Sequence, residues 1–316
     1  MSRILAIANQ KGGVGKTTTS VNTAAGLAQA GRRVLLVDLD PQGNATMGCG
    51  VNKATVERTV YHVLLGLGEA ANVRLRVESG FDLIPANREL AGAEIELVDL
   101  PNREGRLRAA LGQIGGDYDF ILIDCQPSLG LLTVNALTAS DGVLIPMECE
   151  YFALRGVAML RDTIGKVKER LNSRLVIDGV LATMVDTRTH HARETVAAVV
   201  EMFGDAVFHS AISRTVKFPE TTKEGVSIIE SAPTSPGAIA YRNLAWELGD
   251  RLEAMLPERA FELLALRREA IIEKGGAPAK KAAAGKAKLL VLGGQCMGGT
   301  SLRWGYSDGT MRPSTM

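Results

Sequence analysis

The sequence predicts a doubly wound α/β fold, a mostly parallel sheet flanked by helices. Short aliphatic runs recur without polar alternation, at Ile4–Ala8, Val34–Val37, Phe120–Ile123, Val143–Ile145 and Val176–Met184, as strands buried on both faces require. Helix-like segments lie between them, among them Thr17–Ala30, closed by Gly31, and Leu154–Leu171. A glycine-rich loop separates the first strand from the first helix.

Between these elements, residues 51–104 break the alternation and are expected to form helices and loops around one short strand, Phe81–Ile84. The boundary is placed at 274/275, with residues 1–274 as one α/β domain. Ala260–Lys274 reads as a helix finishing its packing on that domain. Residues 275–316 read as a flexible basic Gly/Ala/Lys-rich tail, beginning with "KGGAPAKKAAAGKAK" around that boundary. The last stretch, from Leu289 onward, has little periodicity and does not continue the fold.

With 46% hydrophobic and 22% charged residues the composition is that of a globular protein and excludes wholesale disorder. A net charge of +1 means that any contact with nucleic acid has to come from a local patch. Cysteines 49, 125, 149 and 296 form no C-x-x-C pair and no metal-ligand spacing, so packed thiols in a reducing cytoplasm are expected. Ile4–Ala8 is too short for a signal sequence, and no stretch approaches the roughly 20 apolar residues of a spanning helix.

Lys11-Gly12-Gly13-Val14-Gly15-Lys16-Thr17-Thr18 runs from the first strand into the first helix, the context a P-loop requires. Glycines let backbone N–H groups turn inward around a phosphate, and the helix N-terminus adds partial positive charge. Lys16 is placed to reach the β- and γ-phosphates of ATP, and Thr17 to offer its hydroxyl to Mg²⁺. The ordinary pattern has its first glycine where Gln10 stands, and here a second lysine, Lys11, follows.

Val34–Val37 leads into Asp38-Leu39-Asp40, which puts two carboxylates at the carboxyl end of a strand, the edge where open α/β sheets bind ligands. Asp40 is the candidate for positioning the attacking water, and Asp38 for supporting Mg²⁺ or the loop; capping a turn is the alternative use of either. Phe120–Asp124, four apolar residues and an acid, has the form of a strand whose carboxylate holds Mg²⁺.

Taken with "DLDPQGNAT", "AGAEIELV", "LGLLTVNALTASD" and "CEYFAL", the motif "KGGVGKTT" resembles the deviant phosphate loop of ParA/Soj-type chromosome and plasmid partition ATPases, within the wider MinD/ParA family. The likeness runs from about Arg3 to Leu252. It implies ATP-driven homodimerisation in which Lys11 reaches the partner's nucleotide, non-specific DNA binding by the dimer, and slow hydrolysis stimulated by a ParB-type centromere-binding protein. It places DNA contacts at or near Arg188, Arg214 and Lys217, each of which could equally be solvated surface. Lys217-Phe218-Pro219 departs from the commoner family wording, as does Gln126, where a proline is usual.

Pro219, Met184 and Asp186 are candidate linings of the adenine pocket, although Met184 and Asp186 could simply end a buried strand. His190 and His191 are read as surface, since a zinc site needs more ligands. A MinD-like membrane switch is the main rival, but no stable membrane association is expected. A paralogue positioning another cargo and a metabolic enzyme activating a small molecule are further alternatives, and Lys11 argues against the last.

Overall fold

The computed structural model describes residues 2–148, 153–186, 190–254, 303–307 and 310–314. The expected fold is present. Strand β1 (Arg3–Ile7) leads through the glycine-rich loop to helix α1 (Lys16–Gln29), and then come β2 (Val34–Leu39) and α2 (Asn44–Gly48). The next stretch holds α3 (Val60–Leu65), α4 (Ala70–Val73), β3 (Leu75–Arg76), β4 (Asp82–Ile84), α5 (Leu90–Glu96) and α6 (Arg106–Ile114). Alternation resumes with β5 (Phe120–Cys125), α7 (Leu131–Ala139), β6 (Gly142–Glu148), α8 (Ala153–Arg170) and β7 (Val176–Val185). It ends with α9 (His190–Phe203), β8 (Val207–Ser213), α10 (Lys217–Glu224), α11 (Ile228–Ser231) and α12 (Pro236–Ala254).

These strands form one sheet in the order β3-β4-β2-β5-β1-β6-β7-β8, parallel except for the antiparallel pair β3 and β4. From β1 the chain first builds outward through β2 and later on the other side through β6, so the glycine loop sits where the winding reverses. The crevice outside the carboxyl ends of such strands is the usual ligand position. Strands β2 and β5 are buried at every residue, which explains their unbroken aliphatic runs.

Helix α1 packs against α12 on one side of the sheet, and α3, α5, α6 and α7 pack together on the other. The largest apolar cluster, including Leu35, Val37, Ile121, Ile123, Leu107 and Leu132, lies under this second layer. Gly31 follows α1 at φ 78° with its N–H on the Ala28 carbonyl, the stop the sequence indicated.

Two strands of the main sheet escaped the sequence reading. Strand β3 is two exposed residues with no pattern to detect. Strand β8 alternates buried and exposed side chains at the sheet edge, unlike the continuous runs that marked the others. Ala260–Lys274 and the 274/275 boundary lie outside the described residues. In the C-terminal unit, β9 (Arg303–Ser307) and β10 (Thr310–Ser314) form an antiparallel two-stranded ribbon.

Gly225 ends α10 at φ 72°, and a Cβ there would stand 2.7 Å from the Gly50 Cα. Left-handed strain and a backbone clash add, so Gly225→Ala is expected to cost about 2–4 kcal/mol. Urea unfolding of the two proteins at equal concentration measures it.

Candidate functional site

The chain leaves β1 at Ile7, and Asn9 fixes the start of the loop. Its Nδ2 donates to the Pro146 carbonyl at 2.8 Å, and its Oδ1 accepts from the Lys11 N–H at 3.0 Å. Gly13 and Gly15 adopt φ of 75° and 86°, conformations that cost a side-chain-bearing residue. No atom lies within 4 Å of where a Cβ would stand on Gly12, Gly13 or Gly15, so the loop borders open space. From the far side the Thr183 hydroxyl donates to the Val14 carbonyl at 2.9 Å and pins the loop to the end of β7.

Gly15 is the N-cap of α1 and brings no side chain to the first N–H groups, and the first turn holds no acid. Those donors and the helix dipole are left to an anion. The Lys16 ammonium is folded under the loop, donating to the Lys11 carbonyl at 3.0 Å, and the residue is 6% exposed. Burial lowers its pKa, opposed by the negative fields of Asp124 and Asp40. This cradle fits a phosphate chain, with Lys16 in reach of it.

Asp124, one residue before the end of β5, is fully buried beside α1. Its Oδ2 accepts from the Thr17 hydroxyl at 2.8 Å and its Oδ1 from the Ser20 hydroxyl at 2.7 Å. Asp38 stands opposite it in the β2–β5 register. Burial pushes both carboxyls up; the neighbouring charge adds to the rise, and the hydroxyl and amide donors oppose it. A threonine hydroxyl and a carboxylate beside a phosphate cradle are hard oxygen donors suited to Mg²⁺, which keeps several waters and leans on phosphates for the rest. No group of three or more His, Cys, Asp or Glu that could hold a metal ion is present among the described residues.

Asp38 also holds the following loop. It accepts from the Asp40 N–H at 3.1 Å and from the Thr46 N–H and hydroxyl, both at 2.7 Å. Asp40 is 8% exposed; its Oδ1 caps a turn by accepting from the Gln42 N–H at 2.9 Å, while its carbonyl accepts from the Gly43 N–H. The capping use foreseen for these aspartates is therefore present in both, and one Asp40 oxygen remains for further work. Gln126, the departure from the family's proline, donates to Glu94 Oε1 at 3.0 Å and ties the loop after β5 to α5.

The Lys11 ammonium meets Glu148 Oε2 at 2.8 Å at the end of β6, and its side chain is 37% exposed. Arg214, just past β8, meets the other oxygen of Glu148 at 3.2 Å and is 69% exposed. Lys217 and Pro219 are exposed in the first turn of α10, whose Thr221 and Thr222 line a narrow crevice with Thr17 and Thr18. Met184, half-buried at φ 54° where β7 loses register with β8, follows the threonine that pins the loop, and Asp186 is half-buried just beyond. Arg188 lies outside the described residues.

Cys49 and Cys125 are buried, and burial pushes both thiols up, as expected of packed sulfur. Ser20, Thr46, Thr183 and Glu148 were not picked out from the sequence. Ser20 had one available signal, its place one helical turn beyond Lys16 on the face that Thr17 also borders.

Residues 2–177 match the family described as AAA domain. The sporulation initiation inhibitor protein Soj of Bacillus subtilis is 51% identical over 249 residues, covering 78% of this chain and 98% of Soj. The chromosome partitioning protein ParA of Myxococcus xanthus is 46% identical over 260 residues, covering 82% of this chain and 92% of ParA. A crystal structure titled cobyrinic acid a,c-diamide synthase from Mycobacterium smegmatis, with bound ATP analog and magnesium, superposes with a TM-score of 0.70 at 42% identity over 78% of this chain and 94% of that one. No helix among the described residues is long and apolar enough to cross a membrane. The chain belongs to the ParA/Soj family of partition ATPases.

Proposed function

We propose that the chain is a Mg²⁺-dependent ATP hydrolase that dimerises on ATP, binds non-specific DNA as the dimer and drives chromosome or plasmid partition with a ParB-type partner. The observation that carries this reading is the division of labour between two lysines. Lys16 is buried under the loop where a phosphate chain would lie, while Lys11 is partly exposed and holds its ammonium on Glu148 at the end of β6. A second cation in that position is of little use to its own nucleotide and well placed for one brought by another protomer, where it would stabilise charge developing on the γ-phosphoryl group.

Gly12, Gly13, Val14, Gly15, Lys16, Thr17 and Thr18 are then the phosphate contacts, and Thr17 and Asp124 hold Mg²⁺, with Asp38 in support. Asp40 orients the attacking water. Met184, Asp186 and Pro219 line the adenine side. Bound Mg²⁺ neutralises phosphate charge, which also relieves the crowding of Asp38 and Asp124. Arg188, Arg214 and Lys217 contact DNA phosphates without reading bases. Turnover is slow until the partner stimulates it, and the dimer works on the nucleoid in the cytoplasm.

The likeness to a structure titled as a diamide synthase favours a second reading, activation of a small-molecule carboxylate. Such an enzyme needs a second pocket beside the phosphate loop. A cavity of about 720 Å³ is lined by Arg33, Val34, Arg74, Arg76, Asp82 and Tyr118, at the amino ends of β2 and β4 and away from the phosphate loop. Partition is the better-supported reading.

Light scattering and binding to random-sequence duplex, each with Mg²⁺ and either ATP or ADP, test it. Dimers and DNA binding are expected with ATP only, and Lys11→Ala is expected to lower the ATP-dependent dimer fraction at least about tenfold, the loss of one charge-assisted contact per nucleotide. A wild-type protein that stays monomeric in saturating non-hydrolysable ATP analogue would overturn the proposal.

A further inference from the structure

One carboxylate joins two cations to which the proposed function gives separate tasks. Glu148 closes β6 with its side chain only 12% exposed, and it spends each oxygen on a different partner, Oε2 on Lys11 at 2.8 Å and Oε1 on Arg214 at 3.2 Å. Both partners carry the kind of group that pairs with phosphate, and both are paired here with an anion from their own chain.

We propose that Glu148 acts as a stand-in phosphate, occupying Lys11 and Arg214 in the ligand-free protomer so that dimer closure over ATP and the docking of DNA must each displace it. The inference rests on the function proposed above and deepens it by naming a residue that sets the threshold of the switch.

The direction follows from charge. A carboxylate offers one negative charge shared between two cations, whereas a triphosphate brought by a second protomer offers a denser anion. Lys11 therefore changes partner only when the γ-phosphate is present, and a diphosphate competes less well. Once Lys11 has gone, Glu148 is left to Arg214 alone, so DNA has to pull that arginine from a carboxylate no longer shared. Both contacts are partly exposed, which keeps them weak enough to exchange.

Replacing the carboxylate by an amide of the same shape is the direct test. In full-length Glu148→Gln, each protomer loses a pair worth about two- to fivefold, and two protomers close per dimer. ATP-dependent dimerisation, followed by light scattering, is expected at about five- to twentyfold lower protein concentration, with some dimer appearing in ADP. Affinity for random-sequence duplex, followed by fluorescence anisotropy, is expected to rise about two- to fivefold in the ATP state.

Unchanged or weaker dimerisation in the variant, beside a wild type that dimerises and binds DNA, overturns the role of Glu148 and leaves the proposed function standing. Easier dimerisation without tighter DNA binding overturns the part that concerns Arg214. A wild type that neither dimerises nor binds DNA overturns both proposals together. If circular dichroism finds the glutamine variant unfolded, Glu148→Asp takes its place. Its carboxylate, one methylene shorter, cannot span both cations, and it is expected to shift both readouts in the same direction by a smaller factor; no shift overturns the proposal.

Discussion

Lys16→Ala is expected to abolish measurable ATP binding while leaving a folded protein. The buried ammonium is the positive charge held beneath the loop, and its removal leaves the phosphate chain without a cation from its own loop. Truncating one partner of a desolvated charge pair costs about 2–5 kcal/mol, roughly one and a half to three and a half orders of magnitude in Kd. Folding should change little, because burial already disfavours the charged lysine and offsets what its hydrogen bond to Lys11 contributes. Isothermal titration with ATP and Mg²⁺ measures the first claim and thermal unfolding the second. Asp40→Ala is the contrasting case: its turn-capping bond is local, so the variant should bind ATP and dimerise yet hydrolyse poorly. Normal hydrolysis in that variant would end the assignment of Asp40 to the water.

Asp124→Asn is expected to separate stability from function. In the ligand-free protein this carboxyl is fully buried opposite Asp38, and both are pushed above the ordinary value of 3.8. A folded-state pKa above the unfolded one means that the folded protein binds the proton more tightly. The stabilising contribution is then complete below about pH 4 and is lost as pH rises through the folded value, at about 1.4 kcal/mol per unit of separation. The two carboxyls titrate as a pair. An asparagine cannot ionise, so the ligand-free variant should be more stable than wild type near neutral pH by about 1 kcal/mol, with a flatter pH profile. The added stability that ATP with Mg²⁺ gives the wild type should disappear, because the metal loses its carboxylate. Thermal unfolding between pH 5 and 8, with and without the nucleotide and metal, reads both effects. A variant that still gains full stability from ATP only when Mg²⁺ is present would remove Asp124 from the metal site.

Much of the site could be read from local chemistry. The phosphate loop announces itself because backbone donors can surround an anion only where glycines free them and a helix begins. The acid at the end of Phe120–Asp124 was visible because a charged residue closing a buried strand needs a reason to be there. Helix α1 was placed to within a residue at each end, since the loop and Gly31 bracket it. Less legible were elements whose pattern depends on neighbours. Strand β8 has one face against the sheet and one toward solvent, and α10 approaches Thr17 and Thr18 only after the chain has returned across the domain.

What the sequence determined by itself was the alternating α/β order, the parallel sheet, the phosphate cradle and the carboxylates at its edge, because each follows from residue type and spacing within a few turns of chain. Tertiary structure decided which distant groups share an atom's reach. Register between β2 and β5 sets Asp38 across from Asp124, and α1 delivers Ser20 to the same carboxyl. Lys11 and Arg214, about two hundred residues apart in the chain, meet on Glu148 because three strands end at one edge of the sheet. Charge pairs of this kind carry no sequence signature, since Coulomb's law acts on distance in space and the fold alone supplies it.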